Sequence, residues 1–207
     1  FVYMNEAMLL QRVKTKHCSP DKVTWYPFQM AYILLIIPDI ADNESEYFDK
    51  VDLLWFPTGG GKTEAYLGLA AFSIFYRRLS NDDNNGGVTV IMRYTLRLLT
   101  LQQFERATAL VCACEYMRKK YGIPGSEISI GLWIGAGMTP NHIDDAADAL
   151  EKLREDSTVK LYRANPMQIL KCPWCGAEIG VGGYEVKDGK MNISCCNNPE
   201  CEFHDHL

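Results

Sequence analysis

The chain has 207 residues, 47% of them hydrophobic, and its 21 Lys and Arg against 26 Asp and Glu give a formal net charge of −5. That length suffices for one domain with a real core, or for one domain and a small appendage. The acidic balance argues against a protein that coats nucleic acid by bulk charge. The longest apolar stretch, residues 28–37, is ten residues long, whereas a membrane-spanning helix needs about 20, so we predict no membrane span.

Residues 1–24 are predicted to form an N-terminal helical segment. Helical periodicity runs over 3–16 and ends at Ser19-Pro20-Asp21. Charges spread through the opening residues are unlike a signal peptide, so we expect a cytoplasmic protein. Because the first residue is Phe1, we also expect a piece of a longer chain.

Residues 25–165 are predicted to form an α/β lobe. Three apolar runs are typical of strands buried in a parallel sheet, at 51–56, 88–92 and 128–134. The intervening and flanking periodicity predicts helices at 27–37, 62–79, 95–120 and 141–156. Strands and helices that alternate at this spacing imply right-handed crossovers and a doubly wound parallel sheet.

The turn between the first predicted strand and the next helix has the composition of a phosphate-binding loop, Pro57-Thr58-Gly59-Gly60-Gly61-Lys62-Thr63. Glycines let backbone N–H groups close around phosphates, and the following helix adds the positive end of its dipole. We expect Lys62 to reach the β- and γ-phosphates of ATP and the Thr63 hydroxyl to hold Mg²⁺. These two are therefore the candidate catalytic residues.

The strict phosphate-loop pattern has Gly six residues before the Lys, where this chain has Phe56. A PTGxGKT loop without that Gly resembles motif I of superfamily-two helicases and translocases, whose N-terminal lobe is RecA-like. In that family a Gln ahead of the loop reads the adenine edge and a nearby aromatic stacks on the base, roles that the resemblance gives to Gln29 and Tyr26. The candidate ATP-binding set is Gln29, Thr58, Gly59, Gly60, Gly61, Lys62, Thr63 and Glu64.

The segment after the second predicted strand resembles motif Ia of the same family, which holds a nucleic-acid backbone. Its candidate contacts are Arg93, Thr95, Arg97 and Gln102. Hydroxyl and Arg side chains at a helix N-terminus can grip phosphates without reading bases. Residues 88–122 carry six basic and two acidic side chains, which suits this role, although a solvated helix face has the same pattern. Residues 131–141 resemble the region leading to motif Ib.

The wording of motifs I and Ia is most similar to the DrmA family, the helicase subunit of the DISARM anti-phage system, and the likeness runs from about residue 25 to the end. The resemblance implies an ATP-dependent DNA helicase or translocase that acts with other defence-system subunits against foreign DNA.

Residues 166–207 are predicted to form a small zinc-ribbon-like insertion. Five of the eight cysteines lie in the last 36 residues, and such clustering in a reducing compartment indicates a metal site. The spacing CxxC–x20–CxxxxC favours a structural Zn²⁺ site at Cys172, Cys175, Cys196 and Cys201. Cys195, His204 and His206 remain alternatives for the second pair.

A helicase motor also needs a Walker B acid, commonly an Asp-Glu pair at a strand end, and the sequence has no such strand. We therefore expect this chain alone to bind nucleotide weakly at best and not to turn it over. Two other functions stay open: another P-loop phosphotransferase, such as a small-molecule kinase, or a zinc-ribbon nucleic-acid binding module with a non-hydrolysing loop.

Overall fold

The computed structural model describes residues 1–42, 44–47, 49–57, 59–80, 86–94, 97–135, 137–156, 161, 164–193 and 196–204. Five helices are present at the predicted places: α1 (Val2–Lys16), α2 (Pro27–Ala41), α3 (Lys62–Leu79), α4 (Arg97–Tyr121) and α5 (Ile143–Glu155). Helix α2 continues through Pro38, where we expected it to end. Strands β1 (Tyr184–Lys187) and β2 (Lys190–Ile193) form an antiparallel hairpin. Among the described helices, none is long and apolar enough to cross a membrane.

The predicted parallel sheet of a RecA-like lobe is wrong. Over the described residues the only sheet is the β1–β2 hairpin, and the runs at 51–56, 88–92 and 128–134 form no strand. Many of their apolar side chains face solvent, with Val51 96%, Trp55 88%, Ile91 85% and Trp133 98% exposed, whereas Ile128 is buried. The pattern failed because apolar composition shows a tendency toward burial, whereas a strand also needs a neighbouring strand to satisfy its N–H and C=O groups.

The described chain divides into two compact units. The first comprises Phe1–Arg93 and Ala109–Ser129, and the second comprises Tyr94–Thr108 and Ile130–Leu207. Helix α4 contributes residues to both units. The division into segments 1–24, 25–165 and 166–207 stays a prediction.

In the first unit, α1 and α2 both pack against α3. Residue 68 must be small, because a Cβ on Gly68 would lie 2.9 Å from the Trp25 ring and 3.2 Å from Cδ1 of Ile33. The Trp25 indole N–H donates a 2.7 Å hydrogen bond to Oδ1 of Asn5 on α1. Trp25 therefore joins the three helices just before α2 begins.

A buried carboxylate organises the end of α4 in the first unit. Glu115 is 2% exposed and accepts two 2.7 Å hydrogen bonds from the Arg118 guanidinium and one of 3.0 Å from the Ile128 N–H. Arg78 on α3, 8% exposed, donates to the carbonyl of Pro124. These contacts attach the segment that follows α4 to the ends of two helices.

In the second unit, α5 packs against the β1–β2 hairpin. Arg154 donates a 2.6 Å hydrogen bond to the carbonyl of Tyr184. The Tyr184 side chain is 1% exposed, and its hydroxyl bonds the backbone of Ile169, which leads into the first cysteine pair. One aromatic residue thus connects the helix, the hairpin and the cysteine-containing segment.

Candidate metal centre and phosphate loop

The four cysteines predicted to bind metal come together in the second unit. The sulfur atoms of Cys172, Cys175, Cys196 and Cys201 all lie within 4.8 Å of one another. Cys172 Sγ is 3.9 Å from Cys201 Sγ, and Cys175 Sγ is 3.8 Å from Cys196 Sγ. Four sulfurs about 2.3 Å from a tetrahedral Zn²⁺ would be roughly 3.8 Å apart, whereas a disulfide requires about 2.05 Å. The residues therefore fit a four-thiolate metal site.

Backbone turns hold each cysteine pair. The Gly176 N–H donates to the carbonyl of Cys172 at 2.9 Å, and the His204 N–H donates to the carbonyl of Cys201 at 3.0 Å. Gly176 has a φ of +76°, which favours glycine at this turn. The Phe203 N–H points at the Cys201 sulfur at 3.4 Å. Such N–H groups stabilise thiolate charge without occupying a coordination position.

Burial makes two of the four thiols hard to ionise unless a cation is bound. It raises the pKa of Cys172 to about 11 and also raises the pKa of Cys201. Burial acts in the same direction on Cys175, but the Ala177 N–H and the neighbouring thiols outweigh it and lower that pKa. Metal binding therefore has to displace protons, so affinity for a metal falls as the pH falls.

The residues around the cluster bear on which side chains form the second ligand pair. Trp174 is 1% exposed, packs edge-on against Phe203 with ring centroids 5.5 Å apart, and donates its indole N–H to Glu202. The His204 ring Nδ1 lies 2.7 Å from the carbonyl of Cys196. Of the alternatives for the second pair, His204 is engaged with backbone, and Cys195 and His206 lie outside the described residues.

The segment predicted to be a phosphate loop precedes α3 in the first unit. Gly59 and Gly61 have φ values of +78° and +90°, a region that favours glycine. Gly61 is the N-cap of α3, an 18-residue helix that begins at Lys62. Thr63 and Glu64 lie in its first turn, and Glu64 is 3.7 Å from the Arg12 guanidinium. Thr58 lies outside the described residues.

Gln29 lies directly beside this loop. Its side-chain Nε2 donates a 2.7 Å hydrogen bond to the Gly61 carbonyl, and its Oε1 accepts one of 2.8 Å from the Tyr26 N–H. Gln29 is 3% exposed, while Tyr26 is 59% exposed. The amide therefore joins the start of α2 to the last residue of the loop, and its role in reading adenine stays a prediction.

The candidate nucleic-acid residues fall in both units. Arg93 is exposed and belongs to the first unit, whereas Gln102 is exposed on α4 and belongs to the second. Arg97 begins α4, and Thr95 lies outside the described residues. Their contact with a nucleic-acid backbone stays a prediction.

Two features of the first unit escaped the sequence interpretation. One is the buried carboxylate of Glu115, which an i,i+3 pairing with Arg118 could have indicated. The other is a ring stack between Phe28 and Phe56, whose centroids are 3.8 Å apart with an interplanar angle of 11°. In the sequence, Phe56 stands out only because it occupies the position of the usual glycine. No local pattern pairs it with a residue 28 positions earlier.

Comparison with known proteins finds one informative similarity. The chain is 40% identical to the DISARM protein DrmA of Bacillus paralicheniformis over 98% of its own length. The matched region is 20% of that protein, so the chain spans about a fifth of the length of this curated relative. No protein-family model matches the chain.

Proposed function

We propose that this chain is the nucleotide-binding part of an ATP-dependent DNA helicase or translocase that serves anti-phage defence. Its 40% identity to the DISARM protein DrmA extends over nearly the whole chain, which supports the defence role and other defence-system subunits as partners. The observation that carries the proposal is the glycine loop at the N-terminus of α3, with Lys62 and Thr63 in its first turn.

This loop suits the phosphates of ATP on electrostatic grounds. The N–H groups of the first turn of α3 have no intrahelical partner, and the helix dipole places positive potential there. Lys62 adds a full positive charge, and the Thr63 hydroxyl would hold Mg²⁺, which neutralises the phosphate charge when bound. The Gln29 side chain holds the Gly61 backbone by a hydrogen bond to its carbonyl.

The remaining residues have supporting roles in the proposal. Arg93, Thr95, Arg97 and Gln102 would contact DNA phosphates, which fixes a strand without reading its sequence. The four cysteines would hold a structural Zn²⁺, because a site with four thiolates leaves no open coordination position for chemistry.

The experiment is a titration of the chain with a fluorescent ATP analogue in Mg²⁺, on wild type, Lys62→Ala and Lys22→Ala. Lys22 is an exposed lysine in the Pro20–Lys22 turn of the same unit, so it controls for loss of one surface charge. We expect Lys62→Ala to weaken binding at least 10-fold and Lys22→Ala to leave it unchanged. Equal affinities for all three proteins would refute the proposal.

A second function is favoured by the contrast between the two sites. Among the described residues, the four cysteines of the cluster all come together, whereas residues 51–56 before the candidate phosphate loop form no strand and are largely exposed. A zinc-containing nucleic-acid binding module with a non-hydrolysing loop would likewise have a complete metal site beside an incomplete nucleotide site. It predicts DNA binding that survives Lys62→Ala and is lost on zinc removal, with no nucleotide binding by wild type.

A further inference from the structure

A pair of stacked rings lies at the entrance to the phosphate loop. Phe28 is in the first turn of α2, Phe56 immediately precedes Pro57, and their rings stack at 3.8 Å. The Tyr26 ring lies nearly parallel to Phe28, at an angle of 16° and a centroid distance of 6.3 Å. Phe56 is thereby attached to α2, an element that does not belong to the loop.

The Phe56 ring also lies against the loop backbone. A Cβ placed on Gly60 would be 3.0 Å from Cδ1 of Phe56 and 3.1 Å from the Pro57 carbonyl oxygen. The Gly60 N–H itself donates to that carbonyl at 3.3 Å. The Phe56 ring therefore packs beside Gly60, whose N–H bonds one of the carbonyl groups at the start of the loop.

Those carbonyls are occupied by the lysine of the same loop. The Lys62 ammonium donates hydrogen bonds to the carbonyl oxygens of Phe56 and Pro57, the latter at 3.1 Å. A phosphate group that enters the loop has to compete with both acceptors for this charge. Anything that fixes the Phe56 carbonyl therefore favours the state in which Lys62 is folded back.

We propose that Phe28 is a positioning residue that stabilises this folded-back lysine, so that nucleotide binding must overcome the Phe28–Phe56 stack. The nucleotide half of this inference rests on the proposed function, whereas the lysine half does not. A ligand that selects one of two states binds more tightly when the other state is destabilised. An aromatic pair of this kind is worth about a 2- to 10-fold shift in such an equilibrium.

The test compares Phe28→Leu, which removes the ring, with Phe28→Tyr, which keeps it. Tyr32→Leu is the matched control, because Tyr32 lies on α2 like Phe28 but makes its ring contact elsewhere, edge-on with Tyr66 of α3 at a centroid distance of 6.1 Å. Each protein is methylated with formaldehyde and a borane reductant without nucleotide, and mass spectrometry compares Lys62 with the exposed Lys22. We expect Phe28→Leu alone to raise the relative labelling of Lys62 about 2- to 10-fold.

The second measurement is the affinity for the fluorescent ATP analogue in Mg²⁺. We expect Phe28→Leu to bind about 2- to 10-fold more tightly than wild type, with Phe28→Tyr and Tyr32→Leu unchanged. Weaker binding by Phe28→Leu would mean that the stack preorganises the loop for nucleotide and would overturn the inference. Unchanged Lys62 labelling would overturn it as well. Failure of wild type to bind nucleotide would instead refute the proposed function, while the labelling result would still decide whether Phe28 positions Lys62.

Discussion

Replacing Cys196 with Ser tests the metal centre most sharply, because Cys195 beside it supplies a natural control. Cys196 is 0% exposed and its sulfur lies 3.8 Å from that of Cys175. A structural zinc site of this kind contributes about 10–16 kcal/mol of binding free energy. One of four equivalent thiolates then accounts for about 3 kcal/mol, or roughly a 100-fold loss of affinity. We expect Cys195→Ser to retain wild-type affinity.

The assay measures zinc content by mass spectrometry after dialysis, and affinity by competition with a chromophoric chelator. Wild type and Cys195→Ser should each hold one zinc ion per chain, and Cys196→Ser should lose it to the chelator at about 100-fold lower chelator concentration. Tryptophan fluorescence provides a second readout, because the buried Trp174 indole packs against Phe203 and should become solvated on zinc loss. Loss of zinc from Cys195→Ser with retention by Cys196→Ser would refute the assignment of the ligands.

Two further predictions concern the first unit. Glu115→Gln should lower the free energy of unfolding by about 2–3 kcal/mol near pH 7, because it leaves Arg118 without its buried counter-charge. Burial alone would raise the pKa of Glu115, but the Arg118 and Ile128 hydrogen bonds outweigh it and lower the pKa. The stabilisation is therefore present above about pH 4.3 and lost as pH falls through the lowered pKa. Urea unfolding at several pH values should show that the free energies of unfolding of wild type and Glu115→Gln converge in acid. A difference that stays constant with pH would contradict this reasoning. Gly61→Ala should destabilise more than Gly59→Ala, although both have positive φ. Only at Gly61 would the new Cβ meet a neighbour, 2.7 Å from Gln29 Nε2. Equal losses in thermal melts would show that the Gln29 contact does not matter.

The helices and the cysteine cluster could be predicted from the sequence because their determinants are local or chemically distinctive. Periodicity placed α3 at its observed bounds, Lys62–Leu79. Thiolate spacing identified Cys196 and Cys201, although about 20 residues separate them from the first pair. The turn at each pair is short and self-contained, so each can be recognised without knowledge of the rest of the fold.

Two of the contacts that the sequence did not predict join residues that are distant along the chain. Phe28 and Phe56 lie on different segments, and the Glu115 carboxylate reaches the Ile128 N–H beyond the end of its helix. Such contacts depend on how two elements cross, which no periodicity encodes. The same limit explains the error over the sheet. Each run predicted to be a strand is apolar, but whether it pairs depends on the position of another segment, which the run itself does not encode.

The exposed apolar runs bear directly on what holds the start of the candidate phosphate loop in place. In phosphate-binding loops the preceding strand ordinarily fixes the start of the loop through its place in a sheet. Here residues 51–56 have no ladder among the described segments, and Trp55 is 88% exposed. Phe56 is nonetheless fixed, because its ring stacks on Phe28 and its carbonyl accepts a hydrogen bond from Lys62. Side-chain contacts with α2 thus supply at this point the constraint that backbone pairing does not. It follows that substitutions at residues 28 and 56 should change the conformation at the start of the loop more than polar substitutions in 51–55.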